Sequence, residues 1–379
     1  LIAEAAIDLG AIARNAQALA RLVAPARLTA VVKANAYGHG LVEVARAVAP
    51  HAARLCVYAL EEAVVLRDAG IDAAVHVLGP IPPADLEIAH AANVQITLWD
   101  DDLYARQVAS VARRRRRTFA VHAKIDTGVV RLGMRVDDAP AVLERYATTP
   151  EYELAGAFTH LAAAEEIDST FTLEQLARFL LATQNVGSDV ERHTAATAAA
   201  ILWPETRLDA VRCGIGLYGI WPSAESETLM RERGLVLEPA LAWRTRIVAL
   251  HEIDAGASVG YGRTWRAPRR SVIATLPIGY AEGLPRSAGN AAQALVRGTR
   301  VPLAGRVCMN MAFLDVTAVP GVAPGDAVTL IGPDGSERIT AEELAGACGT
   351  IGYELLARLP GHVPRTYVPL TTQARTALT

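Results

Sequence analysis

From Leu28 to Tyr218, short apolar and often β-branched runs alternate with alanine-rich, helix-favouring stretches, a rhythm that few architectures accept. The runs fall at Leu28–Lys33, Leu55–Leu60, Ala74–Gly79, Val94–Trp99, Phe119–Ile125, Leu154–His160, Asp189–Thr194 and Val211–Tyr218. Between them lie stretches such as Leu41–Ala49, Glu61–Ala69, Ala84–Ala92 and Phe171–Asn185. Strands alternating with helices at this spacing predict a parallel sheet covered by helices. Eight strands packed into about 200 residues predict a closed α/β architecture, a (β/α)8 TIM-type barrel, over an open doubly wound sheet.

After about Gly234 the texture changes. Leu241–Leu250, Ser271–Leu276, Gln293–Val301 and Val328–Ile331 read as strands between Gly and Pro turns, with one short helix at Arg338–Ala347. The expected organisation is a barrel at 8–234 and a mostly β C-terminal domain at 235–379, which the N-terminal segment 1–7 is a candidate to join. A chain of 379 residues, 51% of them apolar, can bury two such cores.

The net charge of −3 gives no reason to expect nucleic acid or an anionic membrane as partner. The five arginines Arg113–Arg117 read as a solvated helix end before the strand at Phe119, not as a polyanion site. Four scattered cysteines show no metal-type spacing, so no metal is expected, and reduced thiols in a cytoplasmic enzyme fit them best. No apolar run approaches the roughly 18 residues a bilayer span needs. The chain starts at Leu1 without a methionine, which leaves a removed leader open.

The C-terminal ends of barrel strands form the active face of such folds. Lys33 closes the first run, Lys124 and Asp126 the fifth, His160 the sixth, and Arg212 lies in the eighth. Any one of them alone is better explained as a snorkelling lysine or a satisfied core histidine. Together they are hard to explain by packing. After the eighth run, Gly214-Ile215-Gly216 lets backbone N–H groups approach an anion, and Thr197 in HTAATAA sits where a helix would start. A lysine opposite a phosphate cradle suits a phosphorylated aldehyde held through the lysine amine, with pyridoxal 5′-phosphate the obvious candidate. Arg212 would then face the pyridine nitrogen and, being always protonated, would limit electron withdrawal into the ring.

These motifs resemble the fold-type III pyridoxal-phosphate enzymes, and within them the alanine racemases. The resemblance runs from AIDLGAIARNAQAL to GTIGYELLARLPGHVPRTY and is most specific in VVKANAYGHG, KIDTGVVRLGM, VRCGIGLYG, SVGYGRTWRA, ATLPIGYAEGLPR and GRVCMN, in the family's order. It implies that Lys33 holds the cofactor and acts as one catalytic base. Tyr261 would be the second base, supplied from the other subunit of a homodimer. It implies phosphate contacts from Tyr37, Thr197, Gly214, Ile215 and Tyr353, and a pyridine partner in Arg212, with His160 bracing the guanidinium. Arg131, Met309 and Tyr280 would meet or admit the amino-acid substrate, and Lys124 matches a position carbamylated in many relatives. The implied reaction is interconversion of L- and D-alanine, supplying D-alanine for the cell wall.

Three departures stand out. HTAATAA replaces the family's common HTANSAA, Asn310 replaces the usual Asp near the substrate entrance, and Val129 and Val130 replace a Met and a small or polar residue, read as a packing change. Asn310 keeps a broader or serine-type amino-acid racemase in view. A fold-type III decarboxylase would carry an acidic ring partner where Arg212 stands. A non-enzymatic cofactor carrier would lack the second domain.

Overall fold

The computed structural model describes residues 3–99 and 101–368. They fall into two compact units, one of Ile12–Ala36 and Leu41–Leu237, the other of Leu1–Ala11, Tyr37–Gly40 and Glu238–Thr379. In the first unit the strands Arg27–Val31, Arg54–Val57, Val75–Val77, Gln95–Leu98, Phe119–Asp126, Tyr152–Phe158, Glu191–His193 and Ala210–Cys213 pair in parallel in chain order. The last strand pairs back onto the first. The remaining seam is closed by a bridge between Ala196 and Arg212, with Arg212 N donating to Ala195 O at 2.9 Å and Asp209 N to Arg192 O at 3.1 Å. The result is the expected (β/α)8 barrel.

The strands read as continuous apolar runs because both their faces are covered. Arg54–Val57 and Val75–Val77 are buried throughout. The covering helices are apolar on one stripe only: Leu41–Val48 buries Leu41, Val44, Ala45 and Val48, the i, i+3, i+4, i+7 pattern of a helix lying on a sheet. Each fully buried Leu or Val contributes roughly 1.5–3 kcal/mol. Helix Asp102–Arg115 is capped by Asp101, whose Oδ1 accepts from Tyr104 N at 3.0 Å, and ends where Arg116 turns left-handed at φ 52. Its exposed terminal arginines reach the half-buried carboxylates of Glu87 and Glu151, so the arginine run is a solvated helix end.

Seven of the eight strands stop earlier than their apolar runs suggest, among them the first at Val31, the sixth at Phe158 and the eighth at Cys213. Lys33 and His160 therefore lie two residues beyond their strands, in loops, and not at the last strand positions. After the eighth strand the GIGLY segment closes into a 3-10 turn, Ile215–Tyr218. Tyr218 OH donates to Val31 O at 3.1 Å, and Asn15 Nδ2 donates to Leu217 O at 3.0 Å. Two buried side chains thus hold the turn.

In the second unit, Leu241–Arg246 runs antiparallel to both Ala3–Ile7 and Ala327–Asp334, and Arg365–Tyr367 joins Ala3–Ile7 in parallel. A separate three-stranded sheet contains Ala249–Ile253, Ser271–Leu276 and Ala312–Asp315. The expected single strand Gln293–Val301 is a hairpin, Gln293–Val296 and Thr299–Pro302, turned at Arg297 (φ 52) and Gly298 (φ 74). Positive φ at both central residues matches the twist of a two-residue hairpin. The expected strand Leu241–Leu250 breaks at Ile247 and Val248. The expected helix starts at Ala341, where Thr340 Oγ1 accepts from Glu343 N at 3.1 Å, because Glu337–Ile339 pairs as a strand. A second helix, Gly352–Ala357, lies beyond the sequence expectation. Among the described residues no helix is long and apolar enough to cross a membrane.

Candidate active site

Lys33 opens a turn of unusual handedness. Ala34, Asn35, Ala36 and Tyr37 all have φ between 51 and 54, followed by Gly38 at 80. Each non-glycine residue in this region costs roughly 1–2 kcal/mol, so a full left-handed turn stores appreciable strain. Specific bonds hold it: Ala36 N donates to Val32 O at 2.8 Å, Asn35 N to Glu62 Oε1 at 3.2 Å, and Leu41 N to Asn35 Oδ1 at 2.9 Å. Gly38 has no alternative residue, since a Cβ there would sit 2.2 Å from Leu356 O. The turn leaves Lys33 half-buried at the barrel mouth. Burial lowers its ammonium below the ordinary lysine range, Arg131 adds to the effect, and Glu62 opposes it. An amine poised to lose its proton is what attack on a carbonyl requires.

Arg212 is 5% exposed inside the barrel. Its Nη1 donates to His193 Nδ1 at 2.7 Å and to His193 O at 2.8 Å, and its Nη2 to Thr159 O at 2.7 Å and Thr194 O at 3.0 Å. The guanidinium also lies over the Phe158 ring, 5.2 Å from its centroid. Of the five N–H groups an arginine carries, only Nε–H has no acceptor among the described residues. The bracing expected of His160 thus falls to His193, a residue not singled out in the sequence. Burial, then Arg212 and Arg131, hold the His160 imidazole down to about 3, so that ring is neutral.

Lys124 is buried, with Nζ 5.6 Å from the Phe158 centroid. Burial first, then Arg131 and Arg212, lower its ammonium to about 8. Asp126 takes no catalytic position. Its Oδ1 accepts from the N–H groups of Gly128, Val129 and Val130 at 2.9–3.1 Å, and its Oδ2 from Arg131 N at 3.0 Å. Burial raises its carboxyl pKa, but these four donors outweigh it, and the net shift is downward. Asp126 therefore folds the loop that presents the exposed Arg131. In that loop Val130 is 89% exposed at φ 56, so the reading of Val130 as a packing change is corrected: a β-branched residue is held in left-handed geometry in solvent.

Thr197 starts the helix Thr197–Leu202, and its Oγ1 accepts from Gly214 N at 3.0 Å, joining the two segments proposed to cradle phosphate. Ile215 is buried beside Gly214 at the start of the 3-10 turn. A Cβ on Gly216 would meet Thr197 Cγ2 at 2.8 Å.

The other predicted residues lie in the second unit. Tyr37 and Tyr353 have ring centroids 6.4 Å apart. Tyr261 sits on a 3-10 turn between Gly260 (φ 71) and Gly262 (φ 73), joining Ser258–Val259 to Trp265–Arg266, and is 71% exposed. Tyr280 and Met309 are 44% and 58% exposed and adjacent: Tyr280 N donates to Cys308 O at 3.1 Å and Ala281 N to Met309 O at 2.9 Å. Asn310 Nδ2 donates to Glu282 Oε1 at 2.7 Å, while Glu282 Oε2 accepts from Gly279 N at 2.8 Å.

Family comparisons decide what this arrangement is. The profile of the alanine racemase N-terminal domain matches residues 7–222, and that of the alanine racemase C-terminal domain matches residues 240–367. The chain belongs to the alanine racemase family. An alanine racemase of Desulfosudis oleivorans is 40% identical over 96% of both chains, and one of Symbiobacterium thermophilum is 39% identical over 96% of both. Among solved structures, alanine racemase from D-cycloserine-producing Streptomyces lavendulae superposes with a TM-score of 0.90 at 32% identity, covering 97% of each chain. The Bacillus anthracis alanine racemase, solved with bound L-Ala-P, gives 0.87 at 34% identity, covering 97% of this chain and 95% of that one.

The family uses pyridoxal phosphate, and the residues here fit that group. Among the described residues, Nε of Arg212 meets no acceptor while both Nη groups are bonded. Lys33 is an amine with a lowered proton affinity. The cofactor, when bound, supplies an electron sink for the substrate's α-carbon.

Proposed function

We propose that this protein interconverts L- and D-alanine by a two-base mechanism. The observation that carries the reading is the holding of Arg212, whose Nε–H is, among the described residues, the guanidinium donor left over for a ring nitrogen. A guanidinium keeps its proton, so it hydrogen-bonds the pyridine nitrogen without protonating it. That restrains electron withdrawal, which suits reversible proton transfer better than reactions needing a deeper sink.

In this reading Lys33 holds the cofactor and moves the α-proton on one face, and Tyr261 of a second subunit moves it on the other. Tyr37, Thr197, Gly214, Ile215 and Tyr353 hold the phosphate, and His160 stays neutral beside the ring. Arg131 and the backbone of Met309 orient the substrate carboxylate, and Tyr280 lines the entrance. Lys124 is the candidate for carbamylation, because its amine, held at about 8, has a neutral fraction that can add CO2. The homodimer reading is supported by the exposure of Tyr261, Tyr280 and Met309 in the single chain. A cytoplasmic location and a role in supplying D-alanine for peptidoglycan follow the family resemblance.

Asn310 favours a second reading of the substrate range. As an amide it donates to Glu282, where the family's usual Asp would place two carboxylates in contact. A neutral entrance residue admits side chains that a second negative charge would repel or capture. A racemisation assay on alanine, serine, lysine and arginine with added cofactor tests both readings. Alanine turned over far ahead of the rest is expected. Equal turnover of the long basic substrates would overturn the alanine assignment, and release of CO2 would overturn racemisation.

A further inference from the structure

Behind Arg212 the barrel interior holds a polar chain that the proposed mechanism does not use. His76, His122 and His193 place ring nitrogens within 4.8 Å of one another, all buried. Such a triad would suit a metal ion, but its nitrogens are engaged and two guanidiniums border it. His76 Nε2 meets Thr97 Oγ1 at 3.0 Å, and its Nδ1 lies 3.9 Å from Cys56 Sγ. His193 Nε2 meets His122 Nδ1 at 3.0 Å. His122 Nε2 faces Arg54 Nη1 at 2.8 Å and Gln95 Oε1 at 3.0 Å. Arg54 is paired with the buried Glu191, which also takes Arg27.

Counting protons shows that this chain cannot satisfy every contact at once. Burial, Arg212 and Arg54 hold the rings far below the ordinary histidine value, so each is neutral and carries one proton. Arginines only donate. For Arg212 to bond His193 Nδ1, the His193 proton must sit on Nε2. That proton is given to His122 Nδ1, which places the His122 proton on Nε2. There Gln95 Oε1 accepts it, and Arg54 Nη1 meets a donor. In the opposite register Arg54 donates to His122 Nε2, His122 Nδ1–H donates to His193 Nε2, and the His193 proton faces Arg212. Two cations compete for one acceptor through two rings.

We infer that Gln95 sets the tautomer register of the His122–His193 pair, and through it decides whether Arg212 is held by the His193 ring or released from it. Gln95 and His122 are positioning residues. Gln95 offers an acceptor to the Nε2 proton of His122, which fixes the register that leaves His193 Nδ1 bare for Arg212. Arg54 favours the other register, and Glu191 restrains it by holding its second amino group. The link to catalysis rests on the reading of Arg212 as partner of the cofactor ring, but the register itself is a property of the apoprotein.

The test is ¹⁵N–¹H correlation spectroscopy of histidine-labelled protein, which identifies the protonated nitrogen of each ring, combined with titration by pyridoxal phosphate. In wild type, both His122 and His193 are expected to be protonated on Nε2. Gln95→Glu keeps the acceptor and pairs with Arg54, so the register stays. Gln95→Leu removes the acceptor, and both protons should move to Nδ1, with cofactor Kd rising about tenfold, the scale of one lost hydrogen bond to a charged group. A His193 proton on Nδ1 in wild type, a doubly protonated ring, or an unchanged register in Gln95→Leu would each overturn the inference. The wild-type spectrum alone decides it should Gln95→Leu fail to fold. A shifted register with unchanged cofactor affinity would uphold the register and overturn the ring-partner reading of Arg212.

Discussion

Inside the barrel Arg212 is 5% exposed and gives four N–H bonds to His193, Thr159 and Thr194, whereas Tyr261 stands 71% exposed on a glycine-flanked turn of the second unit. The arginine's direction is fixed before any ligand arrives, and the surroundings that fix it also bear the cost of burying a charge. The tyrosine has a defined backbone and a hydroxyl that meets no hydrogen-bond partner among the described residues. On the proposed reading, one reactive group is completed by its own domain and the other by a second subunit. A chemistry that must approach one carbon from two faces has a use for both arrangements.

The contrast is sharpest at the two proposed bases. Lys33→Ala should lower racemisation by about 10⁴-fold or more, the upper range for a positioned base. Borohydride treatment should then leave no cofactor on the chain by mass spectrometry. A retained covalent cofactor would mean another lysine holds it. Tyr261→Phe should cost about 10²–10⁴-fold in exchange of the α-proton from one enantiomer, and less from the other. Equal losses from both would remove its face-specific role. Mixing the two variants should restore activity if the sites are shared between subunits, and an active isolated monomer would break the comparison outright.

Stability should separate the same two positions. Arg212→Leu strands the carbonyls of Thr159, His193 and Thr194 inside the barrel and should destabilise by about 3 kcal/mol or more in urea melts. Tyr261→Ala should stay within about 0.5 kcal/mol. Comparable losses at both would mean the exposed tyrosine is packed in solution. Acid should act through the barrel. His76, His122, His160 and His193 all bind protons more weakly folded than unfolded, because burial and neighbouring arginines disfavour their charged forms. As pH falls through 6.5 the unfolded chain takes up protons first, so stability is full above that value and declines toward pH 3. Urea midpoints measured from pH 7.5 to 4.5 check the sign. The smallest effect is expected at Arg114→Ala, an exposed partner of Glu87, at about 0–1 kcal/mol.

The barrel and its eight strands were legible because apolar periodicity is a local property: each strand must be buried on both faces wherever it lies in the chain. The candidate site was legible where a motif carries an unusual residue near or just beyond a strand end, as at Lys33, Lys124 and Arg212. His193 and His122 were missed, although two signals were present. His122 interrupts the apolar start of Phe119–Asp126 and stands two positions before Lys124, on the same face, and His193 ends the wholly polar three-residue strand Glu191–His193. The left-handed turn after Lys33 had only Gly38 and Gly40 to announce it, since alanine and asparagine give little sign of positive φ.

The alternation of strands and helices, the apolar stripes and the chemical identity of Lys33, Tyr261 and Arg212 follow from the order of residues alone. Which acceptors surround Arg212 does not. They come from residues 18 to 53 positions away, brought together only because the barrel closes and points alternate side chains at its axis. The same closure sets His122 between Arg54 and His193, 68 and 71 residues distant, and so decides which of two cations receives the one available acceptor. Hydrogen bonds have a reach of about 3 Å, and proximity on that scale between distant positions is made by tertiary structure.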